Sequence, residues 1–562
     1  MSTAIPVYTA ARKGVPDSGF VRWIERQPQA AFGGFLALHF IVWTALPSLL
    51  YANLPLDLIE ALTYGREWQL GSDKLPPLPW WMVEILYRLF GTDAAYYALA
   101  QATVIVAFGL VFATARPLVG STGALVAVLI IDGMHYFQYT AVKFNHDVIQ
   151  LPFWALAGYA FHAALKRGRL GHWLLLGVAI GGALWAKYFV VLLIIPYALF
   201  LLFDRDARRV LATAGPYLAL AVAVIVITPH LVWLFQNDFL TFAYGEHRAA
   251  LARGWFDHIL HPAFFAASQL FFMLPSLFIA AALLWPRPKA RANFAADGFD
   301  RRIVTLLAFG PGAATVALSA VSGRGAVAMW GYPLWLFLGL WIVMEVRPLL
   351  DPDRIGRMVA AWGAVFAVMA LAFVVNYTVL PLADHRYRAE FFPGNTLGES
   401  LTTRFHAATG TRLRYVIGSM WDGGNAAHYS PDQPQVLIDG EPARAPWIDL
   451  NDLRKHGAVV VWTQSDPKVL PPQFAAIAPN AEIGEPFDLP MRRGYGAVHV
   501  GWAILKPQVG WKYGTFNASC VPRCSGVPTR LLSRVQPFVA VQIDDRRDDR
   551  CGSIASLQRC PS

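Results

Sequence analysis

Eleven apolar runs, each close to the length of a membrane span, dominate the first 380 residues of this chain. A membrane-spanning helix needs about 20 mostly apolar residues. The chain is 56% hydrophobic and 15% charged, whereas an ordinary soluble chain has about 25% charged residues. The runs predict a mainly α-helical polytopic membrane protein with about eleven transmembrane helices. They cover residues 31–52, 95–115, 123–139, 148–165, 172–185, 189–203, 210–235, 263–285, 303–321, 332–346 and 358–380.

The charged connections between the runs predict how the chain is oriented. Lys and Arg are dense at 166–169, 204–209, 286–302 and 347–357, and basic residues gather in cytoplasmic loops. We therefore expect a cytoplasmic N-terminus over residues 1–30 and an uncleaved first helix. The net charge of +10 is explained by this bias, so we expect no nucleic-acid binding. The remaining connections, including the first loop at 53–94, would face the external side.

The composition changes after residue 380, where the predicted transmembrane module (31–380) ends. The runs LRYVIGS, PQVLIDG and GAVVVWTQ are short, apolar and bounded by Gly, Asp or Pro, which is typical of strands. A polar segment at 449–456 could be helical. We therefore predict a small external α/β domain over residues 381–508. Residues 509–562 hold all four cysteines. We expect a loosely ordered tail, in which disulfide bonds could form if it lies on the external side of the membrane.

The first external loop carries an unusual number of charges for a segment beside a membrane span. Its sequence over residues 54–81 is LPLDLIEALTYGREWQLGSDKLPPLPWW. Charged groups near hydrocarbon usually line a cavity or lie at the interface. The following residues, 79–90, combine paired tryptophans with a mixed apolar and charged pattern, which favours a helix lying at the membrane interface over an extension of the next span.

Three segments together resemble the bacterial membrane glycosyltransferases of the GT-C type, relatives of the protein O-mannosyltransferases and of the aminoarabinose transferases of lipid A. They are the first loop, with an acidic residue after the first span and a double proline; FNHDVIQLPFWAL, with Asp147; and GGALWAKYF, with Lys187 and Tyr188. The resemblance implies the GT-C fold. It also implies a polyprenyl-phosphate-linked sugar donor, a lipid, glycan or protein acceptor, and a site at the periplasmic face of the bacterial inner membrane, among membrane lipids.

The resemblance and the chemistry of the transfer together suggest roles for the charged residues. The acceptor hydroxyl needs a base, for which Asp57 is the best candidate, accompanied by Asp147 and Glu60. The leaving phosphate gains charge and needs cationic donors. We expect no required cofactor, although the three carboxylates could hold a divalent cation. The candidates for binding the donor phosphate are Lys187, Lys74, Arg248 and Arg324.

Each of these assignments has a simpler alternative. Asp57 could cap a helix, Asp147 could pair with Lys143, and Lys187 could be a lysine that snorkels to the interface. Two positions also depart from the family pattern. Leu75 stands before the double proline, where relatives have His or Lys, and His146 replaces the proline before Asp147.

Two other functions fit the same number of spans. A transporter or flippase of lipid-linked sugars would often show internal repeats and charges near the membrane midplane. No repeat is visible in this sequence, its charges gather at one interface, and an external domain follows the last span. These features favour an enzyme. A catalytically inactive family member is the other alternative, because of the departure at Leu75.

Overall fold

A computed structural model describes residues 19–242, 252–286, 291–384, 386–492 and 496–508. The helices before residue 240 are α1 (Gly19–Arg26), α2 (Pro28–Leu50), α3 (Leu56–Gly65), α4 (Leu78–Phe90), α5 (Asp93–Asp132), α6 (His146–Arg167), α7 (Leu170–Ala186), α8 (Val191–Phe203) and α9 (Gly215–Gln236). Those after residue 252 are α10 (Asp257–Leu284), α11 (Gly298–Ser322), α12 (Leu338–Val346), α13 (Pro352–Thr378), α14 (Leu380–Asp384), α15 (Gly394–Thr409), α16 (Met420–Tyr429), α17 (Leu450–His456) and α18 (Pro472–Ile477).

Seven helices of the described part of the chain are long and apolar enough to cross a membrane. Two shorter apolar helical segments, Leu170–Ala186 and Tyr188–Phe203, lie between them. The prediction of a multi-pass, mainly α-helical membrane protein is therefore confirmed. The seven helices are α2, α5, α6, α9, α10, α11 and α13.

The long helix α5 contains two of the predicted spans. It breaks at Gly120, whose φ of 76° and ψ of 170° lie outside the helical region. Glycine adopts this conformation without the steric penalty of a Cβ atom. The second half then ends at Asp132, earlier than the run at 123–139 suggested, and turns lead from there to α6.

The predicted span at 332–346 is a regular α-helix only from Leu338 onwards. A short 3₁₀ turn, Ala328–Gly331, and irregular residues precede it. Pro333 cannot donate a backbone hydrogen bond. At Gly331, any Cβ atom would overlap the side chain of Gln269. The chain therefore enters this segment in close contact with the Gln269 side chain of α10.

The C-terminal part contains a mixed sheet with the strand order β2-β1-β3-β6-β4, and β5 pairs with the first half of β6. Strand β1 is parallel to β2 and to β3, whereas β6 is antiparallel to β3, β4 and β5. The three predicted strand sequences form β1, β2 and β3, and the polar segment at 449–456 forms α17. The strands are β1 (Tyr415–Gly418), β2 (Gln435–Ile438), β3 (Ala458–Trp462), β4 (Glu482–Ile483), β5 (Phe487–Pro490) and β6 (Ala497–Leu505).

This α/β part packs directly on the first loop. At Gly424 of α16, an added Cβ atom would lie 2.7 Å from Ile59 and 2.8 Å from Thr63, so α16 approaches α3 closely. Asn53 Nδ2 donates to Asn425 Oδ1 at 3.0 Å beside this contact. The sheet and its helices therefore support the loop that carries Asp57. The Cys-rich tail predicted at 509–562 lies outside the described residues.

Candidate active site

Helix α3 carries Asp57 in its first turn, directly after Pro55. The side chain is half-buried, and its Oδ2 atom accepts a hydrogen bond of 2.9 Å from Asn145 Nδ2. Pro55 occupies the N-cap position, and no side-chain capping bond is formed there. The structure thus does not support the capping alternative for Asp57, whose carboxylate instead points to a residue of another helix.

Asn145 is the N-cap residue of α6. Its Oδ1 atom accepts from the backbone N–H groups of Asp147 at 2.9 Å and Val148 at 3.1 Å. An asparagine cap satisfies backbone donors that the first helical turn leaves free. Because the same side chain donates to Asp57, it couples the start of α6 to the start of α3. Asn145 was not among the predicted site residues, although an Asn before an apolar helix is an N-terminus signal.

Asp147 forms a buried ion pair with Lys187, whose Nζ atom lies 2.6 Å from Asp147 Oδ1. Both side chains are about 11% exposed, and Gln150 Nε2 donates to the same Oδ1 atom at 3.1 Å. Lys187 follows the last residue of α7 and is buried. The alternative pairing of Asp147 with Lys143 is therefore wrong, and Lys187 is not a lysine that extends into solvent.

Lys143 instead pairs with Glu390, at 2.6 Å. Although burial lowers the pKa of Lys143, the carboxylate of Glu390 raises it above its ordinary value, and Asp57 contributes to this rise. The backbone oxygen of Glu390 also accepts from the N–H groups of Ala52 and Asn53. Glu390 thereby joins the end of the first span to the turn before Asn145. Sequence reasoning missed this residue, because an acidic side chain after the last span carries no sign of its distant partner.

The double-proline segment is held beside these groups by polar contacts. Lys74 Nζ lies 2.6 Å from Glu60 Oε2, so Glu60 forms an ion pair with a lysine that we predicted to bind the donor phosphate. The neighbouring Asp73 accepts from Tyr64 Oη and from Arg444 Nε, each at 2.8 Å. Lys74 therefore pairs with another predicted site residue even though it stands one place from the family position.

The second departure from the family pattern, His146, contacts the double proline that follows the first, Leu75. His146 Nε2 lies 3.1 Å from the carbonyl oxygen of Pro76, and its ring packs edge-on against Trp80 at 5.0 Å. A proline at this position would have no polar side chain for such a contact. His146 thus attaches the start of α6 to the double-proline segment.

Arg248 and Arg324 are the other two cations predicted to bind the donor phosphate. Arg248 lies outside the described residues. Arg324 is half-buried in the loop after α11, where its backbone oxygen accepts from Ser319 Oγ at 2.7 Å. The same loop reaches the cluster at Trp330, whose ring centre is 5.6 Å from Lys187 Nζ.

The three predicted site carboxylates, Asp57, Asp147 and Glu60, bond to nitrogen donors and not to one another. Among the residues that the structure describes, no group of three or more His, Cys, Asp or Glu side chains could hold a metal ion. Asp147 and Glu60 each contact an ammonium group, and Asp57 contacts an amide. The arrangement places a half-buried carboxylate, able to accept a proton, among ammonium groups able to bind an anion.

Comparison with known proteins extends this description. Residues 74–233 match the family model for dolichyl-phosphate-mannose-protein mannosyltransferase. The chain is 29% identical over 261 residues to the lipid A galacturonosyltransferase RgtD of Rhizobium johnstonii. The matched region covers 45% of this chain and 53% of RgtD. It is 27% identical over 225 residues to the lipopolysaccharide core galacturonosyltransferase RgtA of the same organism, covering 40% of this chain and 45% of that protein. The chain spans about half the length of the curated relatives that it matches.

The fold is similar to that of ArnT from Cupriavidus metallidurans. The crystal structure of that protein bound to undecaprenyl phosphate matches with a TM-score of 0.53 at 16% sequence identity, covering 84% of this chain and 97% of ArnT. Its apo structure gives the same TM-score at 13% identity. The chain thus has the GT-C fold, and with the family match over residues 74–233 the resemblance to the GT-C type membrane glycosyltransferases is confirmed.

Proposed function

We propose that this protein transfers a monosaccharide from a polyprenyl-phosphate-linked donor to an acceptor at the periplasmic face of the bacterial inner membrane. The observation that carries the proposal is a connected set of residues at the start of α6. Asn145 bonds both to the Asp57 carboxylate and to the backbone of Asp147, and Asp147 in turn pairs with the buried ammonium group of Lys187. The match to glycosyltransferase relatives supports the same reaction class.

In the proposed reaction, the acceptor hydroxyl oxygen attacks the anomeric carbon of the donor sugar. The bond from that carbon to the phosphate oxygen breaks, and its electron pair leaves with the polyprenyl phosphate. Asp57 accepts the hydroxyl proton. Asn145 Nδ2 donates a hydrogen bond to Oδ2 of Asp57. This bond orients the carboxylate and leaves Oδ1 to act as the base. Proton transfer to a positioned base typically contributes about 10²–10⁴-fold to the rate.

The leaving phosphate is proposed to contact Lys187 and Lys74, with Arg248 and Arg324 as further candidates. Charge-assisted hydrogen bonds to a phosphate are stronger than neutral ones, and they strengthen as the phosphate gains charge. Lys187 and Lys74 each have a carboxylate partner at 2.6 Å in this structure. We expect the donor phosphate to share these ammonium groups with their partners, because an ammonium group has three N–H donors.

The relatives suggest which substrates to test first. RgtD and RgtA are named as galacturonosyltransferases of lipid A and of the lipopolysaccharide core, and ArnT was crystallised with undecaprenyl phosphate. A galacturonosyl polyprenyl phosphate donor and a lipid A or core acceptor are therefore the first pair to assay. Because the match covers about half of each relative, the sugar and the acceptor remain part of the proposal.

The proposal is tested by measuring transfer of radiolabelled sugar from a polyprenyl-phosphate donor to envelope lipid in membranes. We expect Asp57→Asn to lower the transfer rate by about 100-fold or more. Asp238→Asn is the matched control, because Asp238 is exposed and has a left-handed φ of 49° that asparagine also adopts. Transfer at an undiminished rate in Asp57→Asn, at equal protein level and melting temperature, would overturn the role of Asp57.

A further inference from the structure

A groove of about 630 Å³ lies between α8, α11 and α12, away from the residues discussed so far. Its floor consists of Phe200, Leu306, Phe309 and Gly310. The added Cβ atom of a larger residue at Gly310 would lie only 3.0 Å from Pro196, so the small residue keeps the groove open. All four floor residues are partly exposed. They lie on α11, one of the seven long apolar helices, and on the shorter apolar helix α8. We therefore expect the groove to open towards lipid.

The groove is at the far end of the membrane-spanning helices from the candidate active site. Asp147 lies at the start of α6, whereas Lys166 near its end pairs with Asp297 and Asp300 at the start of α11. At 1.5 Å per residue, the nineteen residues from Asp147 to Lys166 correspond to about 28 Å. The start of α11 is also where the polar rim of the groove begins, so the groove is a separate site.

Three charged side chains form that rim, and two of them, Arg301 and Glu345, form a long ion pair with each other. Arg301 Nη1 lies 3.7 Å from Glu345 Oε2, beyond hydrogen-bond distance. Arg301 Nη2 donates weakly to the backbone oxygen of Met344 at 3.4 Å. Within the described part of the chain, the buried Nε atom of Arg301 has no hydrogen-bond partner. The Arg301 side chain as a whole is 29% exposed, and among the described residues its two terminal nitrogens make only these long contacts, so they can turn towards a ligand.

The neighbouring arginine provides a contrast. Arg302 Nε and Nη2 donate to Asp204 at 2.7 Å and Asp206 at 2.6 Å, and its charge is therefore neutralised within the protein. Arg301 and Glu345 are left as one positive and one negative group, side by side at the membrane end of an apolar groove. This charge arrangement is complementary to a zwitterionic head group, in which a phosphate is followed by a primary ammonium.

We propose that this groove binds one phosphatidylethanolamine molecule. The phosphate accepts hydrogen bonds from Arg301, the ammonium donates to Glu345, and an acyl chain lies over Phe200, Leu306 and Phe309. From Arg301 to the last lining residue, Ala313, α11 extends about 18 Å, which is comparable with an acyl chain. A choline head group has no N–H donor for Glu345, and a glycerol head group has no positive charge, so both should bind less well.

Native mass spectrometry of the full chain tests this proposal. The protein is exchanged into an equimolar mixture of phosphatidylethanolamine, phosphatidylcholine and phosphatidylglycerol with identical acyl chains, and the retained lipid is counted. We expect one phosphatidylethanolamine to be retained several-fold more than either other lipid. Glu345→Gln should remove the preference over phosphatidylglycerol, and Arg301→Gln should lower retention of all three. Arg302→Gln, the matched control, should leave the preference unchanged.

Arg301→Lys keeps the charge and is the second variant should Arg301→Gln fail to fold. It should retain phosphatidylethanolamine with a reduced preference, because an ammonium group cannot reproduce the planar fork of a guanidinium. Equal retention of the three lipids by the unmodified protein would overturn the proposal. So would a preference for phosphatidylglycerol, or a loss of preference in Arg302→Gln as large as that in Arg301→Gln.

Discussion

Asn145 bonds to Asp57 and caps α6 with the same side chain: Nδ2 donates to Asp57 Oδ2 at 2.9 Å, while Oδ1 accepts from the backbone of Asp147 and Val148. These two roles can be separated by mutation. Serine is as good a helix cap as asparagine, but its hydroxyl is too short to take the place of the amide that orients Asp57.

We therefore expect Asn145→Ser to fold with nearly unchanged stability and to lose sugar transfer by about tenfold, through kcat rather than KM. Asn145→Ala should lose the same activity and, in addition, about 1 kcal/mol of stability. Transfer assays and melting temperatures in detergent measure the two effects. Full activity in Asn145→Ser would contradict a positioning role for the amide.

Because Asp147 and Lys187 form a buried ion pair, the effects of mutating them on stability should be coupled. Removing one partner of a buried ion pair leaves an uncompensated charge and typically costs about 3–5 kcal/mol. Asp147→Asn and Lys187→Met should each lower stability strongly, whereas the double variant should lose less than the sum. We expect an interaction free energy of about 1–3 kcal/mol from the double-mutant cycle. Additive losses would show that the two groups are not paired in the folded protein.

Arg444 connects the α/β part to the first loop, since its guanidinium contacts both Asp73 and Asp439. Asp73 is next to Lys74 in the sequence, so the loss of this contact should loosen the double-proline segment. We predict that Arg444→Gln raises the KM for the donor several-fold and increases protease cleavage between residues 66 and 75. The control is Arg412→Gln, at an exposed arginine that donates to one backbone oxygen at 2.9 Å. Equal behaviour of the two variants would exclude this role.

Glu67 should make stability depend on pH. Burial raises the pKa of its carboxyl to about 7, although Gln435 Nε2, which donates to it at 2.7 Å, opposes the rise. In the unfolded chain Glu67 ionises near pH 4.5, while the folded protein keeps its proton to about pH 7. The unfolded state therefore binds fewer protons in this window, and stability falls as pH rises.

Glu67→Gln cannot ionise and still presents an oxygen to Gln435. The melting temperature of Glu67→Gln minus that of the unmodified protein should become more positive by a few degrees between pH 5 and pH 8. Glu399→Gln, at an exposed position of α15, should show no such trend. A constant difference between Glu67→Gln and the unmodified protein across this range would mean that Glu67 ionises normally in the folded state.

Local features of the sequence determined much of this protein. The long apolar runs predicted the membrane helices because burying an apolar helix in lipid depends on its own composition. The runs bounded by Gly, Asp and Pro predicted β1, β2 and β3. The charges of the first loop and the resemblance to GT-C enzymes led to Asp57, Asp147, Glu60, Lys74 and Lys187. The structure connects Asp57 through Asn145 to Asp147 and Lys187, and it pairs Glu60 with Lys74.

Only the tertiary structure decided how these charges are paired. The sequence offered Lys143 as a partner of Asp147, whereas the structure pairs Asp147 with Lys187, and it gave no partner for Glu60, which pairs with Lys74. It offered no sign of the bond between Lys143 and Glu390 or of the contact between Arg444 and Asp73. These interactions join residues that are far apart along the chain, and their energies depend on burial and on distances of a few ångströms. The sequence determined which charged groups occur in the connections between the apolar helices, and the packing of α3, α6 and the α/β part decided which of them meet.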